Sequence, residues 1–280
     1  MEREKAQDGM IVCLNNVFME EAAARISPAD RGFTLGDGVF DTLLALDGRL
    51  RHAEAHFTRL LKHASVLQIK TGETPETLER AAFRLLEENG FARGRHALRT
   101  TITRGAGVRG LLPPDEPVPT LLMRITPAAS PDSLPPVHAV IARTTRRNEF
   151  SPLSRIKSLQ YGDNLLALLE AKDRGANEAL LLNTAGHVSC ATTGNIFILE
   201  KGRLLTPPLS DGALDGITRA LVMLHTAVEE RSLTPERLAE AEGIYLTNSL
   251  SGIRAVGKLE EKTMDSRNAF YHSLAGLETA

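Results

Sequence analysis

Lys157 is the residue whose surroundings most clearly suggest chemistry. It lies in Ser154–Ser158 (SRIKS), directly before Tyr161–Asn164 (YGDN), where an Asp or Asn can cap the start of a helix. A lysine near cationic or apolar neighbours, such as Arg155, presents its neutral amine more readily and can condense with an aldehyde. Taken alone, a lysine here is an ordinary solvated surface charge, so its chemistry depends on what accompanies it.

Two further features could bind an anionic phosphate group. Arg59 offers a guanidinium fork, and Gly216, Ile217 and Thr218 open a predicted helix whose first N–H groups lack partners. Both features also have ordinary explanations, as an arginine on a helix face and as a helix cap. Their combination with Lys157 favours a functional site.

The segment Gly105–Gly110 (GAGVRG) fits the dinucleotide-binding pattern GxGxxG. That pattern requires a helix after its third glycine to receive a pyrophosphate, but here the chain runs into Pro113–Pro114, which cannot propagate a helix. We interpret the segment instead as a glycine-rich loop in which Arg104 and Arg109 are available for a substrate carboxylate.

Five blocks of sequence follow one another along most of the chain. They are Arg31–Thr42 (RGFTLGDGVFDT), Ala55–Leu60 (AHFTRL), Ser154–Asn183 (SRIKSLQYGDNLLALLEAKDRGANEALLLN), Gly186–Phe197 (GHVSCATTGNIF) and Leu214–Arg219 (LDGITR). In this order they resemble the class IV aminotransferases. The resemblance implies a two-domain α/β (α+β) protein of fold type IV, similar to D-amino acid aminotransferase. It also implies pyridoxal 5'-phosphate (PLP) as cofactor, an amino-bearing carboxylate as substrate and a homodimer.

The same resemblance implies roles for individual residues. Lys157 is the catalytic residue and carries PLP as a Schiff base. The implied cofactor contacts are Arg59, Lys157, Cys190, Asn195, Gly216, Ile217, Thr218 and Ser249. The implied substrate contacts are Phe33, Arg104, Arg109, Tyr161, Asn248 and Leu250.

Cys190 departs from the family pattern. Family members usually place a glutamate against the pyridine nitrogen of PLP, where it keeps that nitrogen protonated. Aligned through Val188–Ser189 and Asn195–Phe197, the equivalent residue here is Cys190. A thiol is a weak hydrogen-bond partner, and apolar burial disfavours the thiolate. We therefore expect a weaker electron sink, and Glu178, at the entrance of a predicted strand, is a poor substitute.

Three reactions compete within the family: transamination of branched-chain L-amino acids, transamination of D-amino acids, and conversion of 4-amino-4-deoxychorismate to 4-aminobenzoate and pyruvate for folate biosynthesis. The sequence favours the lyase, because Leu246–Arg254 (LTNSLSGIR) and Ile102–Gly110 (ITRGAGVRG) resemble two of its blocks. Aromatisation drives that reaction, so it demands less of the pyridine ring. In this interpretation Lys157 is the general base and then the proton donor. A transaminase is the alternative, and a catalytically weak PLP-binding protein is the second alternative.

The elements that must position these residues alternate between strands and helices in both halves of the chain. Hydrophobic spacing and turn signals predict strands at 10–18, 39–46, 98–104, 120–125, 137–143, 178–183, 195–199 and 243–247. Helices are predicted at 54–67, after a cap at Thr74, at 163–174, at 216–230, after Thr234 and after Lys262, the last with Phe270, Leu274 and Leu277 on one face. The proline-dense stretch near residue 130 predicts an N-terminal α/β domain at 1–123, a linker at 124–136 and a C-terminal PLP-binding α/β domain at 137–280.

The bulk composition narrows the class of protein further. With 280 residues, 42% hydrophobic content and a net charge of -2, the chain is long enough for two globular domains and gives no case for nucleic-acid binding. No apolar run has membrane-spanning length, and the amino-terminal MEREKAQDGM lacks the apolar stretch of a signal peptide. We expect a cytoplasmic enzyme without membrane contact. Cys13 and Cys190 match neither a disulfide framework nor a metal pattern, so we expect no metal.

Overall fold

The structure is a computed structural model that describes residues 9–275. Most of the amino-terminal segment discussed above (MEREKAQD) and Leu277 lie outside the described residues. The chain divides into two units, one formed by residues 9–129 with Lys157–Gln160 (unit 1) and one by Ser130–Ile156 with residues 161–275 (unit 2). Each unit contains its own sheet and its own helices.

Unit 1 is built on an antiparallel six-stranded sheet with the order β2-β1-β6-β5-β3-β4. Its strands are β1 (Ile11–Leu14), β2 (Val17–Glu20), β3 (Gly38–Leu46), β4 (Arg49–Leu50), β5 (Arg95–Thr103) and β6 (Thr120–Pro127). Strand β6 buries alternate residues, as expected for a sheet with one face on a core. Asn15 and Asn16 turn the chain between β1 and β2 with φ of 50° and 65°, a left-handed conformation that asparagine tolerates.

The helices of unit 1 are α1 (Arg31–Leu35), α2 (Ala53–Val66) and α3 (Pro75–Glu88). The predicted cap of α3 is confirmed, since the Thr74 hydroxyl accepts a hydrogen bond from the Thr77 N–H at 3.3 Å. Helix α1 was not predicted, because five residues are too few to show a helical period. The Asp30 carboxylate starts it by accepting a hydrogen bond from the Gly32 N–H at 2.7 Å.

Unit 2 is built on a mixed nine-stranded sheet with the order β12-β11-β10-β13-β14-β7-β8-β9, and β15 pairs with β14. Its strands are β7 (Val137–Ile141), β8 (Glu178–Leu182), β9 (Val188–Ala191), β10 (Asn195–Glu200), β11 (Arg203–Thr206), β12 (Val228–Glu230), β13 (Gly243–Asn248), β14 (Gly252–Leu259) and β15 (Lys262–Thr263). Strands β9 and β10 are buried along nearly their whole length. Such strands carry apolar residues on both faces and provide a rigid base for side chains at their ends.

The helices of unit 2 are α4 (Gly162–Asp173), α5 (Ile217–His225), α6 (Pro235–Glu240) and α7 (Ala269–Ala275). The predicted helix at 216–230 is correct at its start and wrong at its end. Val228–Glu230 form β12, which pairs in parallel with β11, so tertiary pairing overrides the continuing helical pattern. None of the helices within residues 9–275 has both the length and the apolar character needed to span a membrane.

The boundary between the units differs in detail from the predicted segments. Strand β6 runs to Pro127, which pairs with His96, so residues 124–127 of the predicted linker belong to the sheet of unit 1. Residues 157–160, predicted in the second domain, belong to unit 1. The reason is backbone hydrogen bonding to β3, in which the Leu159 N–H donates to the Gly38 carbonyl at 2.9 Å.

Candidate active site

Lys157 is anchored in unit 1 through its own backbone. Its carbonyl oxygen accepts a hydrogen bond from the Phe40 N–H at 2.9 Å, and its N–H donates to Nδ1 of His63 at 3.1 Å. Ser158 forms a β-bridge with Val39. The Lys157 side chain is half-buried, and its Nζ lies 4.5 Å from the centroid of the Phe40 ring, within cation–π range. The backbone is therefore held while the amine stays partly accessible.

Arg59 belongs to a buried charged cluster on α2 and β3. Its Nε and Nη2 each donate to an Asp41 carboxylate oxygen at 2.8 Å, and Nδ1 of His56 lies 2.9 Å from Asp41 Oδ1. Burial alone would raise the pKa of Asp41, but the His56 hydrogen bond and the Arg59 charge more than offset it and lower that pKa. Asp41 thus stays ionised and fixes the orientation of the Arg59 guanidinium.

Of the two arginines predicted to hold a substrate carboxylate, one is buried and one is exposed. Arg104 donates from Nε and Nη2 to Asp37 at 2.7 and 3.0 Å, and Arg31 donates to the same carboxylate at 2.8 Å. Arg109 is exposed in the glycine-rich loop, and Phe33 on α1 is 82% exposed. Arg104 therefore supports the fold in this conformation, and Arg109 is the better placed to meet a solute.

The glycine-rich loop does not form a dinucleotide site. No helix follows Gly110 before β6 begins, in accord with the sequence. Gly105 has φ of +85°, and a Cβ there would lie 1.8 Å from the Val118 carbonyl oxygen. Glycine is therefore required at position 105 by the left-handed conformation and by the close approach of the Val118 backbone.

Unit 2 brings three predicted cofactor contacts together at the start of α5. Gly216 is the N-cap of α5, without a side-chain cap, and is followed by Ile217 and the buried Thr218. A Cβ on Gly216 would lie 2.0 Å from Oδ1 of Asn195, whose Nδ2 donates to the Leu214 carbonyl at 2.8 Å. A side chain there would require the Asn195 amide to shift, and the helix start keeps its N–H groups open to an anion.

A buried hydroxyl lies beside this turn. Thr247 pairs with Asn195 across β10 and β13, and its Oγ1 is buried without a hydrogen-bond partner in the part of the chain that the structure describes. A buried polar atom in that state is costly unless a water or ligand satisfies it. The uncapped helix start and this hydroxyl together fit the phosphate group of PLP.

Asn248 ends β13, Ser249 and Leu250 lie in the turn that leads to β14, and all three are half-buried. Oδ1 of Asn248 accepts hydrogen bonds from the N–H groups of Leu250 and Ser251 at 3.0 and 2.8 Å. The amide oxygen of Asn248 therefore orders its own turn. Tyr161 lies at the N-cap of α4 and is also half-buried.

Cys190 on β9 lies in an apolar environment. It packs in a buried cluster with Val140, Ala142, Ala167, Ala171, Ala176, Ala179 and Leu181. Burial raises the pKa of the Cys190 thiol, and the positive charge of Arg147 opposes this effect only in part. The thiol is therefore neutral at physiological pH.

Glu178, considered above as a poor substitute for the family glutamate, has its carboxylate engaged by neighbouring groups. It is the first residue of β8, and its Oε1 accepts hydrogen bonds from the N–H groups of Ala179 and Thr192 at 2.9 and 3.0 Å. Its carboxylate is used locally. The residues present thus fit the phosphate group of PLP well, and Cys190, predicted to face the ring nitrogen, is a neutral thiol.

Three side chains of these sites were not singled out from the sequence. Asp41 lies within a family block, Thr247 directly precedes Asn248, and His63 is a buried residue of α2. A usable signal existed for His63. It follows Arg59 by four residues and therefore shares a helix face with it.

The family comparison gives the class of protein. The model of the family described as "Amino-transferase class IV" matches residues 38–259, which is most of the chain. This protein belongs to the class IV aminotransferase family. Its predicted membership of that family, its fold-type IV architecture and its class as a PLP-dependent transaminase or lyase are thereby confirmed.

Similar curated proteins span more than one activity. A Methanocaldococcus jannaschii protein, provisionally named a branched-chain-amino-acid aminotransferase, is 32% identical over 270 residues, which cover 92% of this chain and 91% of that protein. The aminodeoxychorismate lyase of Bacillus subtilis is 29% identical, with 92% and 89% covered. The D-alanine aminotransferase of Staphylococcus epidermidis is 28% identical, with 89% of each chain covered.

Solved structures share the fold over nearly the full length. The branched-chain aminotransferase of Thermoproteus uzoniensis, crystallised with norvaline, has a TM-score of 0.88 and 25% identity, with 95% of this chain and 92% of that chain covered. The branched-chain amino acid aminotransferase of Thermobaculum terrenum in its PLP form has a TM-score of 0.87 and 22% identity, with 97% and 93% covered. The likeness to the second structure concerns the fold alone.

Proposed function

We propose that this protein is a PLP-dependent lyase that converts 4-amino-4-deoxychorismate to 4-aminobenzoate and pyruvate. The observation that carries the proposal is the neutral Cys190 thiol in its apolar cluster, at the position where the family usually carries a glutamate. A reaction driven by aromatisation of the product tolerates a weaker electron sink better than transamination does. The product would serve folate biosynthesis. A cytoplasmic location stays a prediction.

Lys157 is the proposed attachment and acid–base residue. When bound, PLP supplies electron withdrawal that loosens bonds to the amine-bearing carbon of the substrate. Nζ of Lys157 takes the proton from that carbon and later returns a proton to the departing three-carbon fragment, which leaves as pyruvate. The backbone hydrogen bond from Phe40 to the Lys157 carbonyl holds the residue for both steps.

The proposed cofactor and substrate contacts differ in their support. For the phosphate group, the uncapped start of α5 and the orphaned Thr247 hydroxyl support Gly216, Ile217 and Thr218. The remaining cofactor contacts, namely Arg59, Asn195 and Ser249, rest mainly on the family resemblance. Among the substrate contacts we favour Arg109 over the buried Arg104. Phe33, Tyr161, Asn248 and Leu250 stay predictions.

Product release from 4-amino-4-deoxychorismate tests this function. Purified, PLP-loaded protein should release 4-aminobenzoate and pyruvate in equal amounts, the first measured by fluorescence and the second with a coupled dehydrogenase. Lys157→Ala should abolish both, whereas Lys172→Ala, at an exposed lysine of α4, should leave both unchanged. Absence of product from the wild-type protein would refute the lyase.

A transaminase is the second candidate, favoured by the aminotransferase names of two relatives. It predicts that branched-chain L-amino acids or D-alanine convert the bound cofactor to its amine form, which changes its absorption spectrum. If such donors react and the chorismate derivative does not, the transaminase replaces the lyase. If neither reacts, the protein binds PLP without turnover.

We also propose a homodimer that buries the exposed leucines of α4. Leu165, Leu166, Leu168 and Leu169 are all exposed on this helix. A contiguous apolar helix surface of this kind marks a protein interface. The double variant Leu166→Glu/Leu169→Glu should elute as a monomer in size-exclusion chromatography with light scattering. The control Leu224→Glu, at an exposed leucine of α5, should elute as the wild type does.

A further inference from the structure

His63 is a buried histidine that the proposed chemistry leaves unassigned. It lies in the last turn of α2 and is 4% exposed. Its Nδ1 lies 3.1 Å from the backbone nitrogen of Lys157, 94 residues further along the chain. A side chain of α2 thus reaches the main chain of the residue proposed to carry the cofactor.

The hydrogen bond defines the protonation state of His63. A backbone N–H can only donate, so Nδ1 must accept, and the ring proton must reside on Nε2. The surroundings favour that neutral state. Burial and the nearby charge of Arg59 lower the pKa of His63 to about 4, with smaller effects from Lys62 and Lys157 and opposition from Asp41.

This hydrogen bond comes from a different secondary-structure element than the other backbone contacts of residues 157–159. The other contacts come from three residues of β3. The Phe40 N–H donates to the Lys157 carbonyl, and Val39 forms a β-bridge with Ser158. The Gly38 carbonyl accepts a hydrogen bond from the Leu159 N–H. His63 adds a hydrogen bond from α2 at the N–H of Lys157. Two elements therefore hold the residue, and together they fix the direction in which its side chain leaves the main chain.

We propose that His63 is a positioning residue for Lys157, whose neutral imidazole holds the lysine backbone N–H in place. The proposal rests on the proposed role of Lys157 as the attachment residue. Protonated His63 has two donor nitrogens and cannot accept this hydrogen bond. The anchor is therefore present at neutral pH and is lost as the pH falls towards 4.

Three substitutions separate the hydrogen bond from packing. His63→Asn can keep an acceptor near the position of Nδ1, whereas His63→Leu keeps an apolar side chain of similar size without an acceptor. His96→Leu is the control, because His96 is another buried histidine of unit 1, stacked on Phe91. Thermal melts would confirm that every variant is folded at the temperature of measurement.

Amide hydrogen exchange at Lys157 measures the hydrogen bond to His63 directly. It is followed by mass spectrometry, on the PLP-loaded protein and on the protein without PLP. His63→Leu should accelerate this exchange about tenfold, as expected for a lost hydrogen bond. His63→Asn and His96→Leu should stay within about twofold of the wild type on the same scale. Equal exchange in the wild type and His63→Leu would overturn the proposal.

The rate at which Lys157 captures PLP covalently, trapped with borohydride, measures how the hydrogen bond affects the reactivity of the lysine. His63→Leu should slow capture about tenfold, with recovery in His63→Asn. In the wild type, capture should slow as the pH falls towards 4, and His63→Leu should show a weaker decline. Equal slowing in His63→Leu and His96→Leu would show a general packing effect and contradict positioning. A label on a lysine other than Lys157 would instead overturn the proposed function, and the exchange result would still report on the hydrogen bond.

Discussion

The buried arginines of the candidate site in unit 1, Arg59 and Arg104, are paired with carboxylates, whereas Cys190 and Gly216 of unit 2 are neutral and closely packed. In unit 1, Asp41 binds Arg59 through both carboxylate oxygens. In unit 2, Cys190 packs among alanines, and a Cβ on Gly216 would require the Asn195 amide to shift. Electrostatic pairing thus sets the geometry in one unit, and steric fit sets it in the other. The two units should respond to different kinds of substitution.

Removal of a charge from unit 1 should have the largest effect. Asp41→Ala leaves Arg59 and His56 buried without their carboxylate, so the free energy of unfolding should fall by about 3–5 kcal/mol. Urea denaturation measures this, with the exposed Asp115→Ala as the control. A loss below about 1 kcal/mol would show that the pair contributes no more than an exposed salt bridge, and would contradict this expectation.

The same cluster should make stability depend on pH. The pKa of Asp41 is lowered in the folded protein, so the unfolded chain binds a proton first as the solution is acidified. The contribution of the pair should be complete at neutral pH and should decline below about pH 4, the ordinary pKa of an aspartate. In Asp41→Asn this part of the acid-induced loss of stability should disappear.

Introduction of a charge into unit 2 should have an intermediate effect. Cys190→Glu places a carboxylate in the apolar cluster and should lower the stability of the cofactor-free protein by about 2–3 kcal/mol. PLP should restore stability, because the carboxylate can pair with a protonated ring nitrogen. Half-reactions with amino donors should accelerate about tenfold, or ~1.4 kcal/mol in the barrier. Unchanged half-reactions would show that residue 190 does not act on the ring, and Cys190→Ala controls for the loss of the thiol.

Added volume in unit 2 should have the smallest effect. Gly216→Ala introduces a Cβ 2.0 Å from Oδ1 of Asn195, so the Asn195 amide must shift. PLP binding, measured by spectrophotometric titration, should weaken by ~1 kcal/mol, or about fivefold in Kd. Gly162→Ala is a matched control, because a Cβ there meets nothing within 4 Å. Equal affinities for the two variants would remove the turn from the proposed phosphate site.

Elements with local signals were predictable from the sequence, and elements set by distant pairing were not. Thr74 and Pro75 mark the start of α3 by themselves, because a cap and a first-turn proline act locally. Strand β12 carries no such mark. Its residues, Val228–Glu230, follow a helical pattern and form a strand only because β11 offers a backbone partner.

The candidate site shows the same division. The family blocks singled out Lys157 and Gly216 as candidate site residues. They did not reveal which other residues these two contact. Arg104 was expected to meet a substrate carboxylate. In the structure it pairs with Asp37, which lies 67 residues earlier in the chain. The hydrogen bond between His63 and Lys157 spans a still longer separation. Such pairs follow from the tertiary fold, which no local pattern encodes.

The most direct measurement is the site of covalent PLP attachment. The protein is incubated with PLP, the linkage is made permanent with borohydride, and the modified peptide is identified by mass spectrometry. We expect one label, on Lys157, and no specific label in Lys157→Ala. A specific label on any other lysine, or unchanged labelling of the Lys157→Ala protein, would contradict the assignment of Lys157 as the attachment residue.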